Sequence, residues 1–254
     1  MRFFRSTAAL GLFLAGLCAE PPLHPAADVL GASPGSEVLS YTTEWRFIHA
    51  GNVRLTWSPA SDGFTARLHL ESAGMVSSFY KVDDDYTSLL DRHLCAVSLS
   101  LKASEGSRRH DTSVTFDAAR RKASYRDRDL VKNVTVTHET DVQPCAQDVI
   151  GALYALRRLR LDPGRSAEIP VSDGKKAVMA KVEAQERETV KLDSGTYKTI
   201  RYEAFVFNNV LFRRSGRLFV WITDDDRRLP VQIRIRMPIY IGTVTLRLDK
   251  VGKT

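Results

Sequence analysis

Apolar and polar residues alternate through most of this chain, the period of a half-buried β-strand. Leu39, Tyr41, Thr43, Trp45 and Phe47 mark the first run, over residues 38–48, and His49-Ala50-Gly51-Asn52 follows as a turn. Val53, Leu55 and Trp57 resume the alternation, and Ser61-Asp62-Gly63 turns into Phe64, Ala66, Leu68 and Leu70. Short runs joined by polar turns predict an antiparallel meander. Residues 72–80 mix Gly, Met, Ser and aromatics and read as a short helix or a connection. Further strands are expected at 86–90, 96–103, 112–116, 122–126 and 130–142, the last with Val131, Val134 and Val136 as its apolar members.

The period changes over residues 144–161. Cys145, Val149, Ala152, Leu153 and Leu156 fall on one helical stripe, with Pro144 at the first helical position and Asp148 in the first turn. Arg157, Arg158 and Arg160 occupy the far end, where the helix dipole favours cations, and Asp162-Pro163-Gly164 stops the helix. Strands then return at 167–171, 177–186, 189–192, 199–207, 217–223, 229–236 and 242–251. Ten or more antiparallel strands with one mid-chain helix exclude a βαβ arrangement. The expected fold is mainly β, a strongly curved antiparallel sheet or half-barrel packed on that helix.

The first residues break the pattern. Arg2 and Arg5 precede an apolar run ending at Leu17, too short to span a bilayer, which predicts an export signal over residues 1–19. Leu14-Ala15-Gly16-Leu17-Cys18 resembles a lipobox but departs from it at Leu17, so membrane attachment is expected only if Cys18 is acylated. Residues 20–36, with Pro21, Pro22, Pro25 and Pro34, read as a linker, and 37–254 as a single β-rich domain. The expected location is outside the cytoplasm, in the periplasm or cell envelope.

Composition narrows partners more than it names them. The 254 residues are 43% hydrophobic, which excludes disorder, and carry a net charge of +7. Loss of Arg2 and Arg5 with the signal lowers this to +5. The basic residues are dispersed in pairs such as Arg157-Arg158, Arg213-Arg214 and Arg227-Arg228, read as a solvated surface of mixed sign and not a nucleic-acid track. Two cysteines lie outside the signal, Cys95 and Cys145. In an oxidising compartment a disulfide is their simplest state, contributing roughly 3–4 kcal/mol by loop entropy; two buried thiols are the other.

The segment from Pro144 to Arg157, PCAQDVIGALYALR, resembles the helix motif of the bacterial DUF3108 family, and Trp221 to Val231, WITDDDRRLPV, its late hairpin motif. Residues 41–57, Ser77 with Phe79 to Val82, and Ile169 to Gly174 agree in order and spacing, so the resemblance covers roughly residues 37–250. It implies an exported, β-rich protein whose architecture is similar to the half-barrel of periplasmic lipoprotein carriers. It supplies no catalytic residues.

Candidate chemistry is sparse. No GxSxG, HExxH, P-loop or GxGxxG pattern occurs, the six His have no ligand spacing, and neither a metal nor a cofactor is expected. The acidic runs Asp83-Asp84-Asp85 and Asp224-Asp225-Asp226 read as solvated turns. A curved sheet under one helix encloses a space, and Trp45, Trp57, Phe79, Tyr80, Tyr154 and Trp221 are the aromatics expected to line it. The leading expectation is a non-enzymatic envelope protein binding a lipid, an acyl chain or another apolar ligand. The alternatives are a structural or protein-interaction component of the envelope, and an enzyme on glycan or cell-wall substrates using Asp224, Asp225 or Asp226.

Overall fold

The structure, a computed structural model, describes residues 35–253; the expected export signal, Cys18 and nearly all of the linker lie outside them. Fourteen strands form one antiparallel sheet. The first half of the chain supplies Glu37–Trp45 (β1), Ile48–Ala60 (β2), Gly63–Ser72 (β3), Val82–Asp91 (β4), Ala96–Glu105 (β5), Arg108–Asp117 (β6), Lys122–Asp129 (β7) and Val134–Asp141 (β8). A short helix, Gly74–Phe79 (α1), connects β3 to β4. The second half supplies Ser166–Ser172 (β9), Ala177–Leu192 (β10), Gly195–Ala204 (β11), Arg217–Thr223 (β12), Pro230–Arg236 (β13) and Thr243–Gly252 (β14). Between the halves runs the helix Val149–Arg158 (α2).

Each half is a meander of sequential hairpins, and the halves are sewn together by β1 pairing with β14, from Val38 opposite Gly252 to Trp45 opposite Val244. The outermost strands are therefore β8 and β9, and the segment carrying α2 takes the chain from one edge of the sheet to the other. The sheet does not close by hydrogen bonding. It curves until the β9–β10 turn meets the opposite arm: a Cβ on Gly174 would lie 2.7 Å from Val114 of β6, and Lys175 stands 4.3 Å over the Tyr125 ring of β7. Gly174 also has φ +86, so that approach and that turn both need glycine.

The crossing segment joins the arms. The Ala96 N–H at the start of β5 donates to Ala146 O, while Gln147 N–H donates to Pro170 O and Ser172 N–H to Gln147 O on β9. Cys145 is disulfide-bonded to Cys95. Pro144 and Cys145 form a turn, with Cys145 left-handed at φ 54, and these bonds then hold Gln147 against β9, which is why the helix starts at Val149 and not near Pro144. Asp148 is thus the N-cap, accepting from the Ile150 and Gly151 N–H groups, each at 2.8 Å, and from the Ser88 hydroxyl of β4. Gly151 lets the helix lie close on that strand, since a Cβ there would stand 2.9 Å from Leu90 Cδ2.

Several local expectations are corrected. The two strands expected at 177–186 and 189–192 are the single strand β10, broken only by a bulge after Ala184. Asp83, Asp84 and Asp85 lie in β4 and not in a turn; Asp84 is buried and accepts the Ser104 N–H. Residues 205–216, partly expected as strand, form a loop folded against the concave face.

The arginine pairs are not all solvated. Arg157 and Arg228 are buried and clasp one another: Arg157 Nε donates to Arg228 O, and Arg228 Nε to Arg157 O. Arg228 also donates to Leu159 O, at the end of α2, and to the Tyr202 hydroxyl. Arg157 forms a two-pronged pair with Glu37 at the start of β1. Burial pushes the Arg157 guanidinium down, but the hydrogen bond and charge of Glu37 more than reverse it, so it stays cationic. Two measurements follow. Glu37→Leu strands that guanidinium and should lower urea-unfolding stability by about 3–5 kcal/mol. Replacing Cys95 and Cys145 together by Ser should cost about 3–4 kcal/mol, read as a lower urea midpoint with an unchanged fold by circular dichroism.

Candidate functional site

The concave face holds a cavity of about 340 Å³ beneath α2. Its walls come from both arms of the sheet: Leu55, Leu68, Leu70 and Tyr86 on β2–β4, and Ile169, Val171, Ala180, Val182, Ala204, Leu218, Val220 and Ile233 on β9–β13. Val149, Ile150, Ala152, Leu153 and Leu156 of α2 form the roof, and Val206, Leu211 and Phe212 of the 205–216 loop close one side. Every lining side chain is apolar except Tyr86, whose hydroxyl is pushed up to about 12 by burial, with Asp84 and Glu105 adding to the effect. Such a space solvates no charge and offers almost no hydrogen bond, so it suits hydrocarbon.

None of the six expected aromatics lines it. Trp57 is fully buried, stacked between Phe64 and Tyr154 at centroid distances of 4.7 and 3.9 Å, and fills the interior beside the cavity. Burial, then the charge of Glu37, holds the Tyr154 hydroxyl protonated. Trp221 lies on the opposite face of its strand from Val220 and donates to Glu188 at 2.7 Å. Trp45 sits at the end of β1 and donates to Ile241 O. Phe79 and Tyr80, in and just after α1, are exposed. The lining signal in the sequence was instead the aliphatic stripe of α2 and the Val/Ile/Leu alternation of β9–β13.

The remaining polar groups have local roles. Asp224 pairs with Arg187 at 2.8 Å and Asp226 with Arg160 at 3.0 Å, while Asp225 accepts from Thr223 Oγ1 and the Arg228 N–H; all three occupy the β12–β13 turn, outside the cavity. Among the described residues His69, Asp83 and Asp85 bring ligand atoms within 4.8 Å of one another. The two carboxylates are exposed and His69 Nδ1 lies 2.9 Å from Asp85, while the ladder sets Arg54 opposite His69 and Lys102 opposite Asp85.

The chain is similar to a β-barrel-like protein of the DUF1849 domain from Brucella abortus, with TM-score 0.59 and 8% identity over 89% of this chain and 99% of that one. At that identity the likeness is one of fold, an open barrel-like sheet. A protein with YmcC-like fold from Bacteroides fragilis aligns at TM-score 0.38 and 7% identity, over 88% of this chain and 99% of that one. No curated protein matches the sequence. The chain belongs to the DUF3108 family, described as proteins of unknown function, whose profile matches residues 40–249.

The helix cap supplies a test of the roof. Burial pushes the Asp148 carboxyl above its ordinary 3.8, and the Ser88 hydroxyl and the Gly151 and Ile150 N–H groups pull it back only in part. A carboxyl raised in the folded state costs stability as pH rises from the ordinary value through the folded one. Asp148→Asn keeps an accepting oxygen for both N–H groups and does not titrate. Its urea midpoint, relative to the native chain, should therefore improve as pH is raised above about 4.

Proposed function

We propose that this is an exported cell-envelope protein that binds, without chemical catalysis, one apolar or amphipathic molecule such as a fatty acid or a lipid acyl chain. The observation that carries the reading is the lining: a cavity of about 340 Å³, walled by Leu, Ile, Val and Ala from both arms of the sheet and from α2. That volume stands at the small end of ligand pockets, about 300–1,000 Å³, and fits one chain better than a whole diacyl lipid. The absence of Asp, Glu, His, Lys and Arg from the lining argues for binding and against acid–base chemistry inside it. Export rests on the expected signal over residues 1–19.

The test is binding of a fluorescent fatty acid to the purified protein, with native mass spectrometry of whatever lipid co-purifies. The native chain should bind the probe, and Ala180→Phe or Ala204→Leu should weaken it by about tenfold, the equivalent of about 1.4 kcal/mol of lost contact. Circular dichroism separates a filled cavity from a lost fold. Absence of both co-purified lipid and probe binding, or equal binding by folded filled variants, overturns the reading.

A further inference from the structure

One end of the sheet carries a second feature that the cavity does not use. The β1–β2 hairpin turns on Arg46 and Phe47, both left-handed at φ 50 and φ 68. Two-residue turns of that shape favour Asn and Gly, and a bulky residue there is strained. Phe47 is nonetheless 95% exposed, so it repays that strain with no packing of its own. The neighbouring β13–β14 connection presents Ile239 and Tyr240 at 93% and 76% exposure. Arg46 locks the two tips together by donating from Nη2 to Ile239 O and Tyr240 O, at 2.9 and 2.8 Å. Beside them α1 packs on the start of β2, with the Ala73 N–H donating to Ala50 O, and presents exposed Met75 and Phe79.

A basic groove adjoins these tips. Arg46, Arg234, Arg236 and Arg247 line it together with Phe47 and Ile239, and Glu44 is its single carboxylate, paired with Arg247 at 3.1 Å. The Arg234 guanidinium is pushed down by burial and by the positive charges of Arg236 and Arg247, which Glu188 and Glu44 offset only in part, so positive charge predominates in the groove.

We propose that this end of the sheet docks on the surface of an anionic phospholipid bilayer. Phe47, Ile239 and Tyr240 enter the acyl boundary, and the arginine groove takes lipid phosphates. Apolar tips beside cations are the chemistry of an interfacial anchor, and guanidinium is well matched to phosphate. A second copy of the chain is a poor occupant, because it would bring the same positive groove against itself. No helix among the described residues is long and apolar enough to cross a membrane. The 205–216 loop, which closes one side of the cavity, lies at this same end, where β12 and β13 pair Arg217 with Arg236.

The test is co-flotation of the purified chain with phosphatidylglycerol-containing vesicles and with pure phosphatidylcholine vesicles. The native chain should float with the former, release as salt is raised, and bind the latter weakly. A triple variant with Ser at Phe47, Ile239 and Tyr240 should lose at least about tenfold in binding. Arg234→Gln with Arg236→Gln should lose about fivefold per arginine on anionic vesicles and nothing on neutral ones. All variants carry the same N-terminus, so anything attached there contributes equally. Failure of the native chain to float, equal binding to both vesicles, or undiminished binding by either variant overturns the proposal, as does release by inorganic phosphate at an ionic strength at which chloride leaves the native chain bound. The cavity-filling Ala180→Phe should float normally, which separates failure of this proposal from failure of the cavity reading.

Discussion

The architecture depends on one crossing. A meander that starts at β1 and ends at β8 leaves the next strand with two places to go, and here it goes to the far edge of the sheet. The twenty-odd residues that make that journey run over the concave face, so the sheet must bend around them. Their backbone is satisfied in passing, by Ala96 on one arm and by Pro170 and Ser172 on the other. Asp148 then starts the helix where the arms come together, with Ser88 and two backbone N–H groups as its partners. Those polar contacts fix the first turn of α2 over the cavity, as Arg157 and Arg228 fix its last.

The same geometry explains why the cavity is aliphatic. Three large rings, Trp57, Phe64 and Tyr154, stack directly on one another and fill the interior. Across the cavity from α2 the sheet positions include Ala180, Val182, Ala204 and Val220, which are short. A space is left because the residues on either side are short, and its shape follows from the bend of the sheet rather than from any single side chain.

Alternation made most strands legible, and the change of period at residues 144–161 marked the helix. The hairpin order followed from turn residues such as Ser61-Asp62-Gly63. What alternation cannot convey is which inward positions meet across a curved surface, so the six aromatics expected to line the space lie elsewhere and the lining is aliphatic but for Tyr86 and Phe212. The buried arginines were hidden for a related reason: Arg157 and Arg228 each neighbour another arginine in sequence, and only the register brings Glu37, Tyr202 and the end of α2 to them. The late helix start was hidden because the backbone of Gln147 is claimed by a strand that follows it. The family resemblance was legible in two motifs, and these hold the helix cap at Asp148 and the β12–β13 turn with Arg228.

The pairing of β1 with β14 has a kinetic meaning. All other neighbours in the sheet are consecutive in the chain, so each can zip onto its predecessor as it emerges. Strand β1 alone must keep one edge open until the last strand arrives, because Val38 waits for Gly252. During synthesis the nascent chain therefore carries an unsatisfied strand edge on β1, and β14 acts as the clasp that retires it. A chain cut short before β14 is left with that edge permanently bare.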